Sequence, residues 1–288
     1  MTTPGEVLGV SNLEQVEACL AQKLLLPREP LLASNFDVSY MARTSRDVGG
    51  DFLDYFYLAD ERLRIYLGDV VGKGLPAAMF AGLAIGTLRS IHKTGETPAA
   101  VPETFNKRLR VRPDPSRYCA TQYAVLDPLT LELSVANAGI PLPLHLSAIG
   151  CSLLGEGGLP SGLFDFAQYD RFTYQLVPGD AVLFTTGGLL EASDSHQEGF
   201  GIARLIEVCG EAGCSHPDRL LRAVFTRVKE FANANRQDDM TAVVIKCPRA
   251  IMTPLCPQII QFGNMSAAPE GLKLASGSSA CRVASNFE

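Results

Sequence analysis

The residues able to do chemistry in this chain are aspartates at the ends of short β-like runs. Asp51 closes Val48-Gly49-Gly50-Asp51, Asp69 sits in Gly68-Asp69-Val70-Val71-Gly72-Lys73-Gly74, and Asp238 and Asp239 precede Met240-Thr241-Ala242-Val243-Val244. Carboxylates delivered by turns at sheet ends are the usual oxygen ligands of hard divalent cations. The chemistry such a set implies is that of a two-metal hydrolase. Each segment also has a plainer reading: an Asp before a helix caps it, Gly-Gly-Asp is a turn, and Asp-Asp before a strand is a solvated turn. The 68–74 segment is not a phosphate-binding P-loop, which needs four residues between its first Gly and its Gly-Lys, and Ser or Thr after the Lys. Here three residues intervene and Gly74 follows Lys73.

Other chemistries find less support. The histidines (92, 145, 196 and 216) have no metal-ligand spacing, and no G-x-S-x-G elbow is present. The eight cysteines lack a CxxC pair and read as buried or incidental thiols in a reducing, cytoplasmic protein. With 25 Lys+Arg against 31 Asp+Glu and a net charge of -6, no basic footprint for nucleic acid is expected. The least charged stretch, 74–88, is too short to span a bilayer, and the N-terminus lacks the basic start and apolar core of a signal peptide. No membrane association is expected.

The elements that must position these aspartates follow from periodicity. Leu13, Val16, Leu20 and Leu24 predict an amphipathic helix over 12–26, ended by Pro27 and Pro30. Strands are predicted over 36–41, 52–58 and 62–67, the last two as a hairpin, then helices over 74–91 and 99–109. Further strands are expected at 120–126, 131–136, 143–146, 172–177 and 181–185, helices at 201–208 and 217–232, and a last strand at 241–246. Strand runs interrupted by helix pairs favour an α+β fold of antiparallel sheets flanked by helices. From Cys247 onward Pro, Ser and Ala accumulate, so three regions are expected: a linker helix in 1–30, a domain over 31–246 and a tail over 247–288 outside the core.

Taken together, the segments resemble the metal-dependent PPM (type 2C-like) protein phosphatases, in particular their bacterial SpoIIE/RsbU-like branch. The resemblance is carried by Ala21-Gln-Lys-Leu-Leu-Leu-Pro27, residues 48–55, residues 68–78, Leu126-Asp-Pro-Leu-Thr-Leu131, Ala136-Asn-Ala-Gly139, Pro178-Gly-Asp-Ala-Val-Leu-Phe-Thr185 and Asp238-Asp-Met-Thr241, in order over most of the chain. It implies an αββα sandwich of two antiparallel sheets with the acidic site at one sheet edge. It also implies two Mn²⁺ or Mg²⁺ ions that activate water against the phosphorus of a phosphoserine or phosphothreonine. By motif position Asp69 bridges the metals, Val70 offers a backbone carbonyl, and Asp51 and Asp238 complete the shell; Asp51 and Asp69 are the expected catalytic pair. The implied substrate is a phosphorylated STAS-type anti-sigma-factor antagonist, and the first helix is expected to pair with its copy in a homodimer. The chain departs from the family's pattern twice. Thr186-Gly187-Gly188 stands where Thr-Asp-Gly brings a metal ligand, which leaves one metal to water or to a substitute such as Glu191 or Asp194, two acids whose plainer reading is a solvated helix start or loop; Ala138-Gly139-Ile140-Pro141 stands where Ala-Gly-His-Pro is usual. The first departure keeps open an alternative, a pseudophosphatase that binds a phosphoprotein without turning it over.

Overall fold

A computed structural model of the chain describes residues 12–27, 36–57, 60–91, 97–111, 116–214, 216–232 and 238–247. Two five-stranded antiparallel sheets lie at its centre. The first has the order β1 (Asp37–Arg43), β10 (Met240–Lys246), β9 (Ala181–Thr185), β6 (Leu144–Ser147), β7 (Gly150–Leu153). The second runs β2 (Phe52–Tyr57), β3 (Leu63–Val70), β4 (Cys119–Leu126), β5 (Glu132–Ala138), β8 (Arg171–Gln175). The αββα sandwich implied by the resemblance is the observed fold.

Three apolar layers explain why the central strands read as continuous hydrophobic runs. Between the sheets, Leu53, Ile65, Leu67 and Val135 meet Val182, Phe184, Val243 and Ile245. Outside the second sheet, Phe52, Tyr66 and Val70 are covered by α2 (Leu75–Ile91) and α3 (Ala100–Leu109). Outside the first sheet, Leu183, Ala242 and Val244 lie under α5 (Gly201–Ala212) and α6 (Pro217–Phe231), whose Leu220, Leu221, Val224, Phe225 and Val228 form one buried stripe. Alternate residues of β10 thus face the sandwich and the helices in turn, and every residue of the strand is buried.

The first helix, α1 (Asn12–Lys23), ends before the expected 26 because Leu24 and Leu25 form a turn. Its stripe does not enter the core: Leu13, Val16, Leu20 and Leu24 are 67%, 56%, 56% and 75% exposed. Polar contacts tie the helix down. Gln22 donates from Nε2 to the Gly49 carbonyl at 2.6 Å and accepts the Gly49 N–H at 3.1 Å. Just beyond it, Arg89 of α2 holds the Leu25 carbonyl at 3.0 Å and Asp54 of β2 at 2.7 Å.

Two elements escaped the periodicity reading. Strand β7 is a short, mostly exposed sheet edge with no apolar alternation, and α4 (Gly187–Glu191) is a single turn opening on two glycines. Of the expected 247–288 tail, only Cys247 is described; it is buried, and its N–H donates to the Asp180 carbonyl at 2.8 Å. The six described cysteines are all free thiols.

Gly68 lies opposite Phe52 in the β2–β3 register, and a Cβ there would fall 2.1 Å from the ring of this fully buried phenylalanine. Gly68→Ala is therefore expected to destabilise the fold by about 1–3 kcal/mol through overpacking, measured as a lower urea midpoint at unchanged slope. An unchanged midpoint would show that the ring moves freely and that the β2–β3 contact is not tight.

Candidate metal centre

Strand pairing brings the predicted aspartates to one end of the sandwich. Asp51 immediately precedes β2 and Asp69 is the penultimate residue of β3, so the Phe52↔Gly68 pair sets them side by side. Asp238 and Asp239 precede β10, whose start lies next to the end of β9. One hydroxyl joins the two sheets here: Thr186 Oγ1, just past β9, donates to Asp51 Oδ2 at 2.8 Å and accepts the Thr241 N–H at 2.9 Å.

The adjacent pair divides its work. Asp239 is buried and anchors the loop that leads to Asp51, accepting the Ser45 N–H at 2.7 Å, the Ser45 hydroxyl at 3.0 Å and the Gly50 N–H at 2.7 Å. Asp238 faces outward to Lys73, whose ammonium is 3.2 Å away. The Val70 carbonyl lies only 2.8 Å from where a Cβ on Gly50 would sit, and a Cβ on Gly49 would fall 2.3 Å from Asp239 Oδ2. Both glycines are therefore required by close approach.

Charge is concentrated and under-compensated. Asp51 Oδ1 is buried with no hydrogen-bond partner. Burial and the neighbouring Asp69 push the Asp51 carboxyl well above the ordinary carboxylate range. Burial also raises Asp69, to about 7, with Asp238, Asp239 and Glu191 adding to the effect. A buried acceptor without a donor, set among carboxylates that resist ionisation, is the environment a divalent cation would relieve. The cage is not closed as it stands: among the described residues no group of three or more His, Cys, Asp or Glu is arranged to hold a metal. Asp238 pairs with Lys73, and Asp239 is committed to its loop.

The two departures have clear structural settings. Gly187 opens α4 without a positive φ, and a Cβ there would lie 3.2 Å from Glu191 Oε1. The Asp194 carboxylate accepts the N–H groups of His196 and Glu198 at 2.8 and 2.9 Å and so closes its own turn. Ile140 is buried in the inter-sheet core, while Asn137 fixes its turn by accepting from Gly139 and Ile140 N–H and donating to the Ile140 carbonyl. Sequence reading missed Thr186, Ser45 and Gln22 as supports of the site. Each acts through one hydrogen bond or one pair across distant segments, for which the sequence carries no signal.

The sequence profile of the Stage II sporulation protein E (SpoIIE) family matches residues 59–248, taking in Asp69 and Asp238. The chain belongs to the SpoIIE family. It is 24% identical over 242 residues to the phosphoserine phosphatase RsbU of Bacillus subtilis, covering 81% of this chain and 69% of that protein. It is 28% identical over 232 residues to protein IcfG of Synechocystis, covering 69% of this chain and 36% of that protein. Its fold is that of the SiaA PP2C domain of Pseudomonas aeruginosa, with a TM-score of 0.72 and 21% identity over 81% of this chain and 95% of that one.

The raised carboxyls have a thermodynamic consequence. The folded, metal-free protein binds more protons at Asp51 and Asp69 than the unfolded chain does between about pH 4 and 7. Their contribution to stability is thus fully present below about pH 4 and is lost as the pH rises towards 7. Asp60, held low by Arg64, titrates below this window. The melting temperature of metal-free protein, relative to Asp69→Asn, is expected to fall between pH 5 and pH 8, and saturating Mn²⁺ is expected to reverse the fall. A wild-type curve parallel to that of Asp69→Asn would contradict this electrostatic account.

Proposed function

We propose that the chain is a metal-dependent phosphoserine/phosphothreonine protein phosphatase of bacterial signalling, acting in the cytoplasm on a phosphorylated STAS-type anti-sigma-factor antagonist. The observation that carries this reading is the orphaned Asp51 oxygen beside Asp69, whose carboxyl also feels the charge of Asp238, in a SpoIIE-family fold. Asp51, Asp69, Asp238 and the Val70 carbonyl are the groups that would hold two Mn²⁺ or Mg²⁺ ions. Bound there, the ions would lower the pKa of water and neutralise phosphoryl oxygens.

The chain's own residues prepare this. Thr186 orients Asp51, and Asp239 fixes the loop that presents it. Lys73, Arg46 and Arg117 frame the Gly72-Lys73-Gly74 loop beside the carboxylates, the two guanidinium groups each about 3.4 Å from where a Cβ of Gly74 or Gly72 would sit. These cations suit the dianionic phosphate of a phosphoprotein. The exposed α1 stripe suits pairing with a second copy of the chain.

Gly187 favours a second reading, a regulatory module that binds a phosphoprotein without turnover. Phosphate release from a phosphoserine protein separates the two. The phosphatase reading expects Mn²⁺-dependent release that Asp69→Asn lowers by about 100-fold or more. Saturable binding of the phosphoprotein with no release at any Mn²⁺ or Mg²⁺ concentration would establish the module instead. For the dimer, replacing Leu13, Val16 and Leu20 with Ser is expected to halve the mass seen by light scattering; a mass that is the same for both proteins would rule out this pairing.

A further inference from the structure

We propose that Glu191 supplies the carboxylate that Gly187 lacks, completing the cation site from one helical turn further along α4. The inference rests on reading the cluster as a metal site and adds a ligand to it. Residues 187 and 191 stand four apart, on one face of α4. Helical side chains lean back towards the N-terminus, so the longer Glu191 side chain covers the turn that Gly187 opens. The geometry agrees: Glu191 Oε1 lies 3.2 Å from the position a Cβ of residue 187 would take. The Glu191 carboxylate therefore occupies the space an aspartate at 187 would fill.

Three further observations support it. The charge of Glu191 reaches Asp69, on the opposite sheet. Among the described residues no cation or hydrogen-bond donor engages the Glu191 carboxylate, which leaves it available. Asp51 Oδ1, buried and unpartnered beside Asp69, independently shows that this carboxylate end is short of donors. Asp194, the other nearby acid, is consumed by its own turn. The absence of a Cβ at Gly187 is what gives Glu191 room to fold back, so glycine and glutamate form one unit.

The test is Mn²⁺ binding followed by calorimetry and by the paramagnetic signal of bound Mn²⁺, on wild type, Glu191→Gln, Gly187→Asp/Glu191→Gln and Asp69→Asn. Equal melting temperatures of wild type and Glu191→Gln in chelator, expected for an exposed side chain with no hydrogen-bond or ion-pair partner among the described residues, show that the fold is kept. Glu191→Gln is expected to weaken one of two binding events by about 10- to 100-fold, and the double variant to restore it, since residue 187 has no positive φ to strain an aspartate. Superimposable isotherms for wild type and Glu191→Gln, with binding lost in Asp69→Asn, would overturn the proposal and leave the metal site standing. No Mn²⁺ binding by the wild type would overturn both.

Discussion

Mutual repulsion among carboxylates gathered at one end of the sandwich is the constraint on which the rest of this structure depends. Several acids within reach of one another, some in partial burial, stay folded only if protons, cations or donors offset their charge. The chain answers each differently. Asp239 accepts from three donors, Asp238 pairs with Lys73, and Asp51 accepts from the Thr186 hydroxyl on one oxygen while the other is left bare. What remains uncompensated is the centre of the cluster, where Asp69 is raised to about 7.

The scaffold is built to hold that strained arrangement in place. Each acid sits at or beside the end of a strand buried on both faces, so the backbone carrying it is fixed by the three apolar layers. Glycines at 49 and 50 let the loop approach Asp239 and the Val70 carbonyl closely, and Thr186 bridges the two sheets at the same level. Gln22 extends this support to α1: its two hydrogen bonds to Gly49 fasten the first helix to the loop that presents Asp51. A helix whose apolar stripe faces solvent is thereby joined, through one amide side chain, to the loop that presents the carboxylate cluster.

Much of this was legible in the sequence because the informative features are local. Asp51 and Asp69 announce themselves by type and by adjacent glycines, Asp238 by its place in an acidic pair before a strand, and the strands around them by runs of Val, Ile and Leu. The elements that escaped notice, β7 and α4, are four and five residues long and lack a periodic apolar face. The different duties of Asp238 and Asp239 were not legible, since neighbouring residues of one type differ only in where the strand turns them. The same holds for Thr186; Glu191 was visible as a possible substitute for the carboxylate missing at 187, but the helical turn that carries it over Gly187 was not.

The central claim is that the bare oxygen of Asp51 and the raised Asp69 mark a divalent-cation site shared with Asp238 and the Val70 carbonyl. Anomalous diffraction from crystals soaked in Mn²⁺ tests it most directly. The account predicts manganese peaks bounded by Asp51, Asp69, Val70 and Asp238, with the Lys73–Asp238 ion pair opened. Density showing manganese elsewhere, or none beside an unchanged carboxylate cluster at saturating Mn²⁺ and pH 8, would contradict it.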